Sequence, residues 1–281
     1  MTPPANPEQP IPPRVSSVVV SSNRVDFLCR SLEALEKSEG REALQVIVVD
    51  SGSTDGSAQL ENDFPNVRFF RLPKNFGLTK AMNIGWRAAE ADYVLFLHED
   101  TEVEPQTIPR LAAVLDSTPD AAAVCPLLVD EEGRPAPQLG SLPPDGQYAP
   151  AQPTGSEPIA VTYPRGAALM VRAFVIKSMR QLDERYGQFG TDADLAAHIR
   201  RGGKKILLVP DARTQHAGGR DYGPLRRADF LLGRAVFIGK HMGFAAGLKA
   251  RVASILGPLL SFRWGELRYT LAGQKIDGNQ G

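Results

Sequence analysis

Val46-Ile47-Val48-Val49-Asp50-Ser51-Gly52-Ser53-Thr54-Asp55-Gly56-Ser57 sets four apolar, mostly β-branched residues before eight turn-forming or short polar ones. An apolar run of this kind is a buried strand, and the Asp, Ser and Gly that follow close it and turn the chain. Upstream, residues 15–20 form a second β-branched run, interrupted only by serines, that ends in Ser21-Ser22-Asn23-Arg24. Between the two, Phe27, Leu28, Ser31, Leu32 and Leu35 recur at helical spacing, with Arg30, Glu33, Glu36 and Lys37 on the other side. Strand, helix, strand in this order predicts a right-handed parallel crossover. The pattern repeats downstream as a strand over 67–72, a helix over 79–89, and Tyr93-Val94-Leu95-Phe96-Leu97, which ends in His98-Glu99-Asp100. In an open α/β sheet the carboxyl ends of the strands line the ligand crevice, so Asp50, Asp55 and Asp100 are expected in one neighbourhood.

Further on, residues 105–115 read as a helix and 121–129 as a strand, and the Pro-, Gly- and Gln-rich stretch 130–158 is expected to be a long, mobile loop near the site. A strand is predicted over 168–171 and a helix over 172–182. A helix over 192–201 stops at Gly202-Gly203, and a short strand over 206–209 leaves His216 a few residues beyond its end.

The 281 residues are 42% hydrophobic and 23% charged, which suits one large core, and no solenoid repeat is visible. Lys and Arg together number 32, as do Asp and Glu, so no charge excess recommends nucleic acid as a partner. Cys29 and Cys125 sit in apolar stretches without metal or redox spacing, and are expected to be buried free thiols in a reducing cytoplasm. No apolar run reaches spanning length and no signal-peptide pattern opens the chain, so the expectation is a cytoplasmic protein. Residues 1–13 carry six prolines and are expected to form a disordered arm.

Taken together, these blocks resemble a family two glycosyltransferase, especially the bacterial rhamnosyltransferase-type members, over residues 15–243. The resemblance lies in residues 18–24, the loop of residues 49–57, Asn75-Phe76-Gly77 with Asn83-Ile84-Gly85, and Leu97-His98-Glu99-Asp100-Thr101. It continues through Gly166-Ala167-Ala168-Leu169-Met170-Val171-Arg172, Thr191-Asp192-Ala193-Asp194-Leu195, and Val209-Pro210-Asp211-Ala212 leading to His216. The order and spacing of the blocks, rather than any single one, carry the likeness.

The resemblance implies a GT-A type α/β fold: a mostly parallel central sheet flanked by helices, a catalytic domain over 14–223, and a C-terminal helical, basic extension over 224–281. It implies an inverting hexosyltransferase of cell wall or polysaccharide biosynthesis that uses a UDP- or dTDP-sugar and a divalent metal, Mn²⁺ or Mg²⁺. Its acceptor would be a glycan or polyprenyl-linked hydroxyl. Nucleotide binding would fall to Ser21, Asn23, Arg24, Asp50, Ser53, Asp55, Lys80 and Asn83. Asp50 would read the imide edge of uracil or thymine, favouring UDP or dTDP over GDP, while Arg24 and Lys80 would pair with the diphosphate. For Asp50 and Asp55 the competing role is closure of a turn; for Asn83 it is fixing the helix entry.

Asp100 and His216 would hold the metal. The family motif is Asp-x-Asp with a variable first position, occupied here by His98, which either joins the metal or phosphate site or packs at the strand end. Glu99 is expected to point away from Asp100. Asp192 would be the general base, with Thr191 standing where the family has a glutamate. The competing role for Asp192 is a helix N-cap, which Thr191 would supply equally well, and Asp194 is expected to be a first-turn acid facing solvent or capping.

From residue 224 to 281 nine Lys/Arg stand against three Asp/Glu. Phe244, Leu248, Val252, Ile255, Leu256, Leu259 and Leu260 approximate a helical apolar face beside Lys249, Arg251, Arg263 and Trp264. Such a helix suits peripheral contact with an anionic membrane at the inner face of the cell membrane, or packing on the catalytic domain or on a second subunit in a homodimer. A nicotinamide-binding dehydrogenase is disfavoured because no Gly-x-Gly-x-x-Gly follows the first strand, and a nucleotidyltransferase because the glycine-rich basic loop is missing. A catalytically silent nucleotide-sugar binding or scaffold protein of the same fold is the remaining alternative.

Overall fold

The computed structural model describes residues 12–218 and 222–276. The proline-rich arm expected over 1–13 lies, but for residues 12 and 13, outside the described residues. The first half of the chain runs β1 (Val15–Ser21), α1 (Val25–Glu36), β2 (Leu44–Asp50), α2 (Leu60–Asp63), β3 (Val67–Arg71), α3 (Leu78–Arg87), β4 (Tyr93–His98), β5 (Thr101–Val103), α4 (Thr107–Ser117) and β6 (Ala121–Val129). Short strands follow: β7 (Pro137–Gly140), β8 (Ala149–Pro150), β9 (Ile159–Val161), β10 (Tyr163–Pro164) and β11 (Ala168–Arg172). Then come α5 (Ala173–Ser178), α6 (Thr191–Arg201), β12 (Lys205–His216), α7 (Pro224–Met242), α8 (Phe244–Leu260) and α9 (Trp264–Ala272).

The main sheet has the order β3-β2-β1-β4-β11-β6-β12-β5, with β9 also paired to β12. β3, β2, β1 and β4 are parallel, as the crossover rule requires, and β11 enters antiparallel between β4 and β6. Both faces are covered. Val18 and Val20 of β1 point into one apolar core and Val19 into the other, which is why the strand reads as an unbroken apolar run. Leu28, Leu32 and Leu35 of α1 lie on a single stripe and are fully buried on the sheet. Each contributes roughly 1.5–3 kcal/mol. Two serines intrude at the start of β1: Ser16 is satisfied, its Oγ donating to Gln45 Oε1 at 2.6 Å and accepting from the Ala91 amide at 3.1 Å, while the buried Ser17 Oγ has no hydrogen-bond partner.

Several boundaries differ from expectation. The helix expected over 172–182 is only α5, six residues long. The short strand expected over 206–209 is part of the twelve-residue β12, which crosses an irregularity between Val209 and Arg213 and runs on to His216. The stretch expected to be a mobile loop instead contains β7 and β8, and β7 pairs with both β8 and β10 in a second, three-stranded sheet. Gln138, fully buried, anchors that sheet by accepting from Leu128 N and donating to Pro126 O, both at 2.9 Å. Cys125 is a buried free thiol pushed up to about 12 by burial, whereas Cys29 is free but only partly buried.

Candidate active site

The register of the parallel strands aligns their carboxyl ends: Ser21 pairs with Asp50, and Val20 with His98. Loops leaving these ends therefore converge. Asp50 is buried and its Oδ1 accepts from the Ser53 amide at 3.1 Å and from the Ser53 hydroxyl. Asn23, with φ of 51°, receives the Thr54 amide at 2.7 Å on its Oδ1, and its own amide donates to Ser53 Oγ at 2.8 Å. The two loops are thereby stitched together. Asp55 accepts from Ser57 N at 3.0 Å and from Val25 N, the first residue of α1, at 2.9 Å. Burial would raise its pKa, but the Ser57 and Val25 hydrogen bonds outweigh that and hold it below the ordinary carboxylate value.

Ser21 is buried, and its carbonyl accepts from Ser51 N at 2.8 Å. Lys80, on the first turn of α3, lies 4.5 Å over the Phe76 ring. Asn83 is fully buried; it donates to Leu182 O and Glu184 Oε1 and accepts from Leu182 N, each at 2.9 Å. Its amide thus ties α3 to the segment before α6.

At the end of β4 the chain turns through His98, Glu99 and Asp100 into β5, and Thr101 Oγ1 closes the turn on His98 O at 2.7 Å. β5 pairs antiparallel with the far end of β12, His216 opposite Thr101. This ladder is what brings His216 beside Asp100. His98, Asp100 and His216 each offer a ligand atom within 4.8 Å of one another. Asp100 Oδ2 accepts from Arg24 Nη1 at 3.0 Å, and Glu99 lies 3.9 Å from the same nitrogen. Asp100 Oδ1 and His216 Nε2, both buried, have no hydrogen-bond partner; at 3.6 Å apart they are beyond hydrogen-bonding distance of each other. Burial pushes both imidazoles down, His216 to about 4 despite the Asp100 charge, so their lone pairs are open to a cation. Two imidazoles and a carboxylate, two of whose atoms are buried without a partner, are a donor set that fits a divalent metal.

The base candidate is reached by a short hydrogen-bonded route. His98 N donates to Ala167 O at 2.9 Å, and the neighbouring Gly166 N donates to Asp192 Oδ2 at 3.0 Å. Asp192, on the first turn of α6, and the His98–Asp100 turn line one crevice together with Met82, Phe96 and Leu195. Neither Thr191 nor Asp192 caps α6: the N-cap is Gly190, and Thr191 Oγ1 instead sits 2.5 Å from Thr79 Oγ1. Asp194 neither caps nor faces solvent. It is buried, held by Lys240 Nζ at 2.7 Å and His241 Nε2 at 2.6 Å from the end of α7.

The crevice also contains residues to which the sequence reading assigned no role: Tyr148, Arg165, Gln188, Tyr222 and Arg226. Tyr148 Oη lies 2.6 Å from Tyr163 Oη, and burial, then the Asp192 charge, pushes both phenols up, so they remain hydrogen-bond donors. Arg165 immediately precedes the Gly166-Ala167 block, and that adjacency is the only signal that pointed to it.

A mixed α/β sheet with acids at its strand ends, and a second acid on a helix across the crevice, defines a GT-A type transferase architecture. The chain matches glycosyl transferase family 2 over residues 16–175 and belongs to that family. It is 29% identical over 238 residues to the N-acetylglucosaminyl-diphospho-decaprenol L-rhamnosyltransferase of Mycobacterium tuberculosis, covering 73% of this chain and 77% of the relative. Over 110 residues it is 31% identical to an undecaprenyl-phosphate 4-deoxy-4-formamido-L-arabinose transferase of Proteus mirabilis, 37% of this chain and 34% of that one. In fold it is similar to GalNAc-T7 crystallised with UDP, GalNAc and Mn²⁺, with a TM-score of 0.69 at 17% identity, covering 92% of this chain and 56% of the other. Residues 1–349 of S. aureus TarS in complex with UDP-GlcNAc superpose with a TM-score of 0.61 at 18% identity, covering 81% and 67%. The protein is a glycosyltransferase.

Proposed function

We propose that this glycosyltransferase moves a sugar, with inversion, from a UDP- or dTDP-sugar to a hydroxyl of a glycan or polyprenyl-linked acceptor, with Asp192 as general base. The observation that carries the proposal is that Asp192, His98 and Asp100 line one crevice, with His216 grouped beside His98 and Asp100, and that His98 and Asp192 are joined through residues 166–167. The Asp192 carboxylate takes the acceptor hydroxyl proton while that oxygen bonds to the anomeric carbon. The bond from that carbon to the diphosphate breaks on the opposite side, and the nucleoside diphosphate leaves. Tyr148, lining the same crevice, is held protonated and serves to donate to the acceptor or sugar. Arg24 and Arg165 present positive charge toward the departing diphosphate. His98, Asp100 and His216 would hold a divalent Mn²⁺ or Mg²⁺, which when bound neutralises diphosphate charge.

In this reading Asp50 and Ser21 meet the pyrimidine at the strand ends. Asn23, Ser53 and Asp55 shape the loops around it, Lys80 adds charge, and Asn83 positions α3. Residues 14–223 carry the catalytic machinery, and 224–281 form an extension whose first helix supplies one crevice wall through Arg226. The lipid-linked acceptor is supported by the names of the two relatives, which act on decaprenyl and undecaprenyl carriers.

The test is Asp192→Asn, which keeps shape and hydrogen bonding but cannot take a proton. Calorimetric affinity for the donor is expected to survive while single-turnover transfer falls by about a hundred- to ten-thousand-fold. Near-normal transfer by this variant would remove Asp192 from the mechanism.

A further inference from the structure

α8 is built inside out. Helices on globular surfaces bury their large apolar side chains and show their small and polar ones. Here the buried residues are Gly247, Ser254 and Pro258, and the exposed ones are Phe244, Leu248, Val252, Leu256, Leu259 and Leu260. Steps of four, four, four and three residues put the first five on one stripe, opposite the packed face. The small face is needed for the packing: a Cβ on Gly247 would stand 2.4 Å from Gly239 Cα of α7, so the two helices touch backbone to backbone. The apolar stripe therefore is not the face that packs on the domain.

The stripe continues into Phe262 and Trp264, 75% and 61% exposed, at the turn into α9. That corner adjoins the active site: a Cβ on Gly265 would lie 3.2 Å from the Pro224 side chain, and Tyr222 and Arg226, two residues to either side of Pro224, line the crevice. The charge around the stripe is predominantly positive. Between residues 243 and 276 there are five basic residues, Lys249, Arg251, Arg263, Arg268 and Lys275, and one acid, Glu266, which Arg263 and Arg227 hold at 3.3 and 3.5 Å. No helix among the described residues is long and apolar enough to cross a membrane.

We propose that this face is a membrane-docking surface for an anionic bilayer. The stripe of α8 and the Phe262–Trp264 corner enter the headgroup boundary, and the crevice rim is held beside the lipid. An apolar stripe ending in aromatics and accompanied by a basic excess, with Arg251 turned inward to Thr270 O and Glu266 paired with Arg263 and Arg227, matches such a surface. A second copy is a poorer occupant, because a two-fold contact through this stripe would set its basic residues against their own counterparts. The inference rests on the transferase reading with a lipid-linked acceptor, and it gives that acceptor a route from the bilayer to Asp192.

The experiment uses the full chain with vesicles of phosphatidylcholine, with and without phosphatidylglycerol. Sedimentation with the anionic vesicles at low salt is expected, together with a blue shift of Trp264 emission that Trp264→Phe abolishes although Trp86 remains. The double variant Leu248→Glu, Leu256→Glu alters only exposed positions and is expected to weaken vesicle binding by roughly tenfold or more, with circular dichroism unchanged. Failure of the intact protein to bind anionic vesicles, unchanged binding by the double variant, or a blue shift that survives Trp264→Phe would overturn the proposal. So would a dimer in sedimentation equilibrium that the double variant dissociates. Donor affinity measured on the same samples separates the two readings: vesicle binding without nucleotide-sugar binding fails the transferase reading alone, and the converse fails only the docking face.

Discussion

Gly166 leaves the proposed base no slack. A Cβ at this position would stand 2.9 Å from Asp192 Cβ and 3.4 Å from its Oδ2, so any larger residue displaces the carboxylate that its amide now holds. Since misplacement by about 1 Å costs on the order of a hundredfold in rate, Gly166→Ala is expected to lower transfer by about ten- to a hundredfold. Donor affinity in calorimetry should stay close to that of the parent, because the displaced group is on the acceptor side. Asp100 offers a complementary test on the donor side. With Oδ2 bound to Arg24 and Oδ1 buried without a partner, its removal leaves two imidazoles and no carboxylate in the group. Asp100→Ala is expected to abolish the gain in nucleotide-sugar affinity that Mn²⁺ confers, read by calorimetry with and without the metal. A gain undiminished in the variant would exclude Asp100 as a ligand.

At the level of elements, the first turn of α6 is fastened from outside by the last turn of α7. Lys240 Nζ bridges Asp194 Oδ2 at 2.7 Å and Asp183 Oδ2 at 3.0 Å, and His241 closes on the other Asp194 oxygen. Asp194→Ala removes the buried carboxylate that Lys240 and His241 both contact and leaves Lys240 with Asp183 alone, a change worth about 1–3 kcal/mol. A large fall in denaturant midpoint with the folded variant still binding donor is the expected result, in contrast to Asp192→Asn, which should lose chemistry and keep stability. Asp183 supplies the pH dependence. Burial acts to raise its pKa, but Arg185 and Lys240 overcome this and hold it well below its ordinary 3.8. A carboxyl depressed in the folded state binds fewer protons there than when unfolded. Its stabilisation is therefore complete above about pH 3.8 and is lost as pH falls toward the depressed value. Asp183→Asn is expected to lower the neutral-pH stability and to flatten the acid limb below pH 4 in a thermal-melt series. A parallel shift of the whole curve would show that Asp183 carries no linked proton.

Across the whole molecule, the helical extension is joined to the catalytic sheet mainly through α7, whose Phe237 and Ile238 enter the core, while α8 is secured by the close approach of Gly239 and Gly247. Gly247→Val places a branched side chain where the two backbones meet. It is expected to lower the thermal midpoint by several degrees, on the scale of a destabilisation of a few kcal/mol, and to leave donor binding within about twofold. Loss of donor binding in a folded variant would mean that α8 supports the crevice directly. The parallel half of the sheet was readable in advance because its strands are buried on both faces and end in turn-forming acids, a pattern written in consecutive residues. The second sheet was not. Its strands of two to four residues lie in a Pro- and Gly-rich stretch and depend on one buried amide, Gln138, a long-range arrangement without periodicity. For the same reason Tyr148 and Arg165 were missed, and β12 was cut short at Pro210, where an irregularity rather than a strand end allows the proline.

Local physics therefore determined the first strands and helices and the acids at the strand ends, because backbone propensity and apolar periodicity act over a few residues, whereas Asp192 was singled out by the resemblance to the family alone. Tertiary structure decided which groups meet. The pairing of β5 with β12 carries His216 to Asp100 across more than a hundred residues of chain. Packing of α7 on α6 turns Asp194 inward, although its position two residues from Asp192 suggested solvent or a cap. The stripe on α8 could be read from its spacing, but whether it faced the protein or the outside could not. That choice was made by Gly247 and Gly239, since two glycines let the backbones approach more closely than the leucines could.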